Sequence, residues 1–333
     1  MANRVLLIGS EGFVGKILRD ALKTTGAQVL STDRSIPESV ADGLACDICV
    51  ADEVDALFRW AGDVSHIVHL AAISYLPEAS AHPERLFEVN VNGTVLSTQA
   101  MLRHVPGARF LYIGSSEAYG VPHSIPIDES HPLAPQNPYA ISKAAAEQYC
   151  SYLHRAVGAD IVCVRPFNHT GPGQLPRFAL PGFADQIARI IRGEAPPVIE
   201  VGNLEARRDF LDVRDVVDAY VRLLEAAPSG AVVNVCSGEA YQIGDALDLL
   251  IEMSQRSIEV RVDNARLRAV EVPEIRGSYR KLEEMTGWKP TIPFEVTLRD
   301  LLDYFCDEQV SSPTTTSRAT SDGSGAVDSR DGC

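Results

Sequence analysis

Tyr139 and Lys143 stand four residues apart in the stretch NPYAISKAAAEQYC, a spacing that puts both side chains on one face of a helix. Two readings compete on that spacing alone. A tyrosine can fill a buried face beside an ordinary solvated lysine, or the two can form an acid–base pair. A free tyrosine titrates near ~10 and is a poor acid or base at neutral pH. An adjacent ammonium would lower that value and poise the phenol for proton transfer.

A second group of residues has a clearer context. Gly9-Ser-Glu-Gly12-Phe13-Val14-Gly15 follows the apolar run Arg4–Ile8 and opens the helical pattern Phe13–Leu22. The first glycine permits a tight turn, the second lets the backbone approach a pyrophosphate, and the third allows close helix–strand packing. The start of the helix then offers free N–H groups and a positive dipole end to phosphates. Asp33 ends the next apolar run, roughly 20 residues on, where a carboxylate can bind ribose hydroxyls. These features predict a nucleotide cofactor.

The elements that must hold these groups alternate. Arg4–Ile8, Gln28–Thr32, His66–Leu70, Arg109–Ile113 and Asp160–Val164 read as buried strands, with Leu44–Ile48 a weaker one. Helical stretches lie between them at Asp52–Trp60, Pro83–Arg103 and Tyr139–Val157. That alternation predicts a Rossmann-type, doubly wound parallel sheet covered on both faces. After Arg165 the pattern loosens into RPFNHTGPGQLPRFALPG, read as a shaped loop, followed by a helix at Phe183–Arg192. The expected division is 1–168 for the cofactor domain and 169–310 for a smaller substrate domain, with 231–236 returning to the sheet. Residues 311–333 lack large apolar side chains and are expected to be a disordered tail.

Bulk properties exclude several classes. The formal charge of −15 over 333 residues argues against nucleic acid, which needs a basic footprint. It also requires local arginines to meet any anionic substrate. No run approaches the ~18 apolar residues of a membrane span. MANRVLLIGS leads into glycines rather than a cleavage site, so a cytoplasmic protein is expected. Seven scattered cysteines suggest reduced thiols, and Cys46-Asp-Ile-Cys49 lacks the partners of a zinc site. No metal is expected.

With the GxxGxxG spacing in view, the chain resembles the extended short-chain dehydrogenases. In that superfamily a Ser or Thr after the fifth strand joins Tyr-x-x-x-Lys on the next helix, and here IGSSEAYG (113–120) precedes Tyr139 and Lys143. Asp47-Ile48 resembles the adenine-contacting pair of the extended branch. Leu70-Ala71-Ala72 resembles its cofactor wall, and Asn90-Val-Asn-Gly its long helix. VRPFNHTGPGQ (164–174) and VGNLEARRDFLDVRDVVDAY (201–220) are similar to members that act on GDP-sugars. The likeness runs to about Leu302.

The resemblance implies roles for single residues. Tyr139 would be the proton donor, Lys143 would lower its pKa and hold the nicotinamide ribose, and Ser115 would orient a ketone as charge develops on its oxygen. Asn168 would contact sugar or diphosphate and His169 the nicotinamide half of the cofactor. Arg208 would clamp the diphosphate, since a guanidinium fork suits phosphate geometry. Ser116, Val201 and the segment Glu271-Val272-Pro273-Glu274 would lie near the substrate. For Arg207 and Arg214 a solvated surface is as good a reading.

Glu117 separates two enzymes. A dehydratase of this family needs such a carboxylate to take a proton from the sugar C5, whereas ketone reduction does not. Three departures from the dehydratase pattern favour a reductase: Phe13-Val14-Gly15 where the dehydratase has Gln-Asp-Gly, Thr170-Gly-Pro-Gly173 after FNH, and Asp33 in place of arginines suited to a 2′-phosphate. The expected function is NAD(P)H-dependent reduction of the C4 ketone of a GDP-linked 4-keto-6-deoxyhexose, with NAD preferred and a homodimer implied. A GDP-mannose 4,6-dehydratase or an epimerase is the alternative. A non-catalytic NAD-binding regulator is the reading from another class, and it has no need of Ser115, Tyr139 and Lys143 together.

Overall fold

The computed structural model describes residues 3–263 and 272–307; Glu271 and the tail from 311 lie outside them. Seven parallel strands form the main sheet. The chain begins β1 (Arg4–Ile8), α1 (Phe13–Thr24), β2 (Gln28–Asp33), β3 (Gly43–Ala45), α2 (Ala51–Ala61) and β4 (His66–His69). It continues through α3 (Leu76–Ala81), α4 (Pro83–Phe87), a π turn at Glu88–Asn92 and α5 (Gly93–His104) to β5 (Arg109–Ile113). A 3₁₀ turn (Ser116–Tyr119), α6 (Pro138–Val157) and β6 (Ile161–Pro166) follow. The weak strand expected at 44–48 is thus only three residues at the sheet edge. The helix expected over 83–103 is interrupted by the π turn, a feature that frequently marks functional sites.

After β6 the segment read as irregular contains a strand, β7 (Asn168–Thr170), paired in parallel with β10 (Phe210–Asp212). Between them come α7 (Ala179–Ile191), β8 (Val198–Val201) and β9 (Arg207–Arg208), and beyond them α8 (Val213–Ala226) and β11 (Val232–Val235). The last elements are β12 (Tyr241–Gln242), α9 (Ile243–Ser254), β13 (Glu259–Val262), β14 (Glu274–Ile275), α10 (Arg280–Thr286) and α11 (Phe294–Asp307). The strand order β11-β6-β5-β4-β1-β2-β3 reverses direction between β1 and β4. Ligands of open parallel sheets bind at the C-terminal ends of strands beside such a reversal.

Successive side chains on a strand point to opposite faces, and the core divides accordingly. Val5 and Leu7 pack with α1, α8 and Trp288 on one face. Leu6 and Ile8 pack with α2, α5 and α6 on the other. A third cluster joins α7, α9 and α11 over β8 and β10. A small fourth one, Tyr119, Ile127, Phe167 and Cys236, lies where the two lobes meet. The lobes interleave in sequence, because α8, β11 and α10 return to the first sheet. Among the described residues no helix is long and apolar enough to cross a membrane.

Candidate active site

The turn after β1 is held by its own backbone. A Cβ on Gly9 (φ +91°) would lie 2.6 Å from the Ala71 nitrogen, and one on Gly15 would lie 2.2 Å from the Gly9 oxygen. Both glycines are therefore demanded by packing. Gly12 differs: its φ is −68°, and a Cβ there would meet only the Gly9 oxygen at 3.4 Å. Nothing in the chain requires glycine at 12, whereas a phosphate group approaching the backbone would. The α1 N-terminus that begins there has no side-chain cap and no acidic residue in its first turn. The N–H groups of Phe13, Val14 and Gly15 are left for an anion, and NAD(P) fits this cradle.

Leu70, Ala71, Asp33 and His169 of the expected cofactor set are tied to this turn. Leu70 and Ala71 both donate their N–H groups to the Ile8 carbonyl, which brings the 70–72 segment against Gly9. Asp33 accepts from the Glu11 N–H at 3.1 Å and from the Arg34 N–H at 2.8 Å, so its carboxylate is oriented at the rim of the glycine turn. Asp47 accepts from the Cys49 N–H and pairs with Arg85 at 3.2 Å, while Ile48 is buried against Gly93. The Phe13 ring stacks on His169, with centroids 6.3 Å apart and planes 8° apart. His169 donates Nδ1–H to the Phe167 carbonyl at 3.0 Å, and burial lowers its pKa.

The catalytic candidates come from two elements tied at their starts. Asn137 caps α6, accepting from the Ala140 N–H at 2.8 Å, and its amide donates to Glu117 Oε2 at 3.1 Å. Ser115 caps the 3₁₀ turn by accepting from the Glu117 N–H at 3.2 Å. Tyr139 then sits one residue inside its helix, where the Ser115 hydroxyl acts to lower the pKa of its phenol. Ser116, beside it, is buried. Asn137 escaped the sequence reading, although an Asn-Pro pair at a helix start is a capping signature.

The electrostatics depart from expectation. Burial pushes the Tyr139 phenol up to about 12, against the Ser115 hydrogen bond that lowers it. Lys143 is lowered to about 8 by burial. Its ammonium lies over the Tyr112 ring, 5.0 Å from the centroid, and does not depress the tyrosine. The physical reason is that desolvation outweighs a neighbour whose charge is turned toward β5. The phenol is therefore fully protonated at neutral pH, the form a proton donor needs.

The substrate set divides. Arg208 is buried, and its Nη1 donates to the carbonyls of Arg207 at 2.8 Å and Val272 at 2.7 Å. β14 pairs Glu274 with Arg207 and Ile275 with Arg208, and the Arg207 N–H donates to the Pro273 carbonyl. Arg208, Val272, Pro273 and Glu274 thus share one site, in which Glu274 lies 3.7 Å from Arg207 and 3.3 Å from Arg276. Asn168 starts β7 and is half-buried. Val201 is a correction: it is 0% exposed inside the third cluster, so its side chain packs the core. Arg214 bridges Asp212 and Asp300 at 2.7 Å each, a structural role. No group of three His, Cys, Asp or Glu placed to hold a metal occurs among the described residues. A groove of about 460 Å³ lined by Ser65, His66, Arg109 and Asp160 opens at the other end of the strands, away from every residue above.

A parallel Rossmann sheet with a nucleotide cradle at its switch point and a Ser–Tyr–Lys set beside it defines an NAD(P)-dependent oxidoreductase. Residues 5–236 match the NAD dependent epimerase/dehydratase family, and the chain belongs to that family. It is 38% identical over 304 residues to the GDP-6-deoxy-D-mannose reductase of Pseudomonas aeruginosa, covering 91% of this chain and 97% of that one. It is 28% identical to the GDP-6-deoxy-D-talose 4-dehydrogenase of Aggregatibacter actinomycetemcomitans, covering 85% and 91%. The structure of RMD from Pseudomonas aeruginosa complexed with NADPH matches with a TM-score of 0.83 at 36% identity, over 92% of this chain and 99% of that one. The UDP-glucose 4-epimerase of Thermus thermophilus in complex with NAD matches with a TM-score of 0.80 at 27% identity, over 91% and 98%.

Proposed function

We propose that this enzyme reduces the C4 ketone of GDP-4-dehydro-6-deoxy-D-mannose to give GDP-D-rhamnose. The observation that carries the proposal is the 38% identity to GDP-6-deoxy-D-mannose reductase across nearly both whole chains. When bound, NAD(P)H supplies the hydride. The Gly9–Gly15 turn and the α1 N-terminus hold the diphosphate, Asp33 the adenosine ribose, and Leu70, Ala71, Ala72, Asp47 and Ile48 the adenine side. Tyr139 donates the proton to the developing alkoxide, and its raised pKa keeps that proton available throughout the neutral range. Ser115 stabilises the same oxygen, and Lys143 holds the nicotinamide ribose. Arg208 and Asn168 orient the nucleotide sugar, with the third cluster as the core of the substrate lobe.

Glu117 is assigned a structural task in this reading, bracing the Asn137 cap and not abstracting a carbon-bound proton. The enzyme is proposed to act in the cytoplasm as a homodimer, which sedimentation velocity would check. Incubating the protein with GDP-4-dehydro-6-deoxy-D-mannose and NADH, then identifying the sugar by NMR, tests the whole. Rhamnose is the expected product. Talose, or turnover of GDP-mannose without reduced cofactor, would overturn the assignment.

A further inference from the structure

Between the Ser115 turn and the Tyr139 helix the chain makes an excursion, residues 120–134, that takes no part in the proposed chemistry. Its neck is closed by the Ala134 N–H, which donates to the Ala118 carbonyl at 3.0 Å, and a Cβ on Gly120 would collide with the Ala134 carbonyl. From that neck the chain reaches β11, the edge strand of the main sheet, where Asn234 receives it. The Tyr119 hydroxyl donates to Asn234 Oδ1 at 2.7 Å, and Asn234 Nδ2–H donates to the Ile127 carbonyl at 3.1 Å. The Asn234 N–H donates to Glu129 Oε1 at 2.8 Å. Asn234, Ile127 and Tyr119 are 0%, 1% and 2% exposed.

Polarity leaves these bonds one arrangement. Arg165 donates to the Tyr119 hydroxyl at 2.8 Å, and a guanidinium cannot accept, so the hydroxyl proton points to Asn234. The Asn234 oxygen is thereby taken by Tyr119, and its NH₂ must face the Ile127 carbonyl. Tyr119 ends the 3₁₀ turn that Ser115 caps.

Ile127 is also paired with the substrate lobe. Its N–H donates to the Arg276 carbonyl at 2.8 Å and its carbonyl accepts from the Ser278 N–H at 2.9 Å, on either side of a parallel bridge to Gly277. The Gly277 N–H donates at 3.0 Å to Asp209, the neighbour of Arg208, and a Cβ on Gly277 would lie 2.6 Å from Cys236 Sγ. Val272, Pro273 and Glu274, which share the Arg208 site, lie just upstream on this segment. One side chain of β11 thus ties the turn that presents Ser115 to the segment that carries the proposed substrate contacts.

We propose that Asn234 is a positioning residue for the reaction: it joins the excursion to the substrate lobe and so keeps the Ser115 hydroxyl in register with a sugar held at Arg208. The proposal rests on the reductase reading, and its test is separable from it. The deciding variant is Asn234→Ala, which removes the acceptor for Tyr119 and the donor to Ile127. Glu129→Ala, at a half-buried residue, breaks the third tie alone and leaves the buried groups paired.

In folded protein, Asn234→Ala should lower kcat on the keto sugar about tenfold or more, with KM for the sugar and the NADH dissociation constant within about threefold, the pattern of alignment lost in the transition state. Glu129→Ala should lower kcat the same way by less. Hydrogen exchange, read by mass spectrometry, should quicken over 116–120 in Asn234→Ala and stay unchanged over 9–15. Wild-type kcat in folded Asn234→Ala, whatever its melting temperature or KM, would overturn the proposal and leave Asn234 purely structural. A loss of kcat accompanied by weakened NADH binding overturns it too, because the whole site has then loosened. Should Asn234→Ala not fold, Glu129→Ala decides, and wild-type kcat there overturns the proposal. A wild type inactive on the keto sugar sinks the reductase reading instead, and the exchange over 116–120 still tests the tie: unchanged exchange overturns it.

Discussion

The cofactor lobe and the C-terminal lobe hold their loops by different means. In the first, close approaches at glycine shape the cofactor side: Gly9 against the Ala71 backbone, Gly15 against the Gly9 backbone, and Gly93 against the Ile48 side chain. In the second, buried carboxylates gather the chain. Asp209 accepts from the N–H groups of Ser237, Gly238 and Gly277 and from the Ser237 hydroxyl. Asp215 accepts from the Thr291 and Ile292 N–H groups and the Thr291 hydroxyl. Asp212 caps α8 and binds Thr297. The glycine turn of the first lobe is thus shaped by sterics, which pH does not change, and the loops of the second are gathered by buried carboxylates, whose charge pH does change.

Where the two lobes meet, the reaction itself supplies the largest expected effect. Tyr139→Phe removes the proton donor and should lower kcat by ~10²–10⁴-fold with the melting temperature unchanged. A smaller loss would move the acid to another group. Within the cofactor lobe, Gly12→Ala should fold normally yet weaken NAD(P)H binding by about tenfold or more, ~1.4 kcal/mol, as read by fluorescence titration. Gly15→Ala should instead lower the melting temperature, because its Cβ meets backbone that cannot yield. Equal behaviour of the two variants would break the steric account of that lobe.

The carboxylate account is sharpened by Asp209→Asn. It leaves backbone donors without an acceptor and should cost about 3 kcal/mol of stability, raising KM for the nucleotide sugar through Arg208 more than it affects NAD(P)H. Burial raises the Asp209 carboxyl from 3.8 to about 6. The folded state then binds that proton more tightly than the unfolded state does, so this group's contribution to stability falls as pH rises across that window. Melting curves should show that downward slope in the wild type and its loss in Asp209→Asn. Glu117→Gln should cost at most about tenfold in kcat, ~1.4 kcal/mol; a loss as large as that of Tyr139→Phe would favour the dehydratase. Smallest of all, NADH should serve at least as well as NADPH, since Asp33 would repel a 2′-phosphate, with Arg34 offsetting part of that in steady-state kinetics.

Much of the first lobe was legible in the chain. Continuous apolar runs of strand length, a glycine turn and Asp33 all depend on local sequence, so β1, β2, β4, β5, β6 and β11 lie where the pattern puts them. Local signals were weaker after Arg165. β7 has three residues and exists because Phe210–Asp212 lies beside it, a partner some forty positions away that no periodicity announces. Val201 shows the same limit, since resemblance placed it near substrate and packing placed it in the core.

Sequence by itself was enough for the fold class, through the alternation of strand and helix patterns, and for the glycine turn; Ser115, Tyr139 and Lys143 were singled out by family resemblance, since the Tyr–Lys spacing alone left two readings open. Only the tertiary structure decided their electrostatic state. The Lys143 ammonium turns to the Tyr112 ring, Tyr139 is desolvated, and Glu147 meets Arg165 from another element. Those outcomes depend on burial and on charges brought together across the fold, and neither is a property of spacing along the chain.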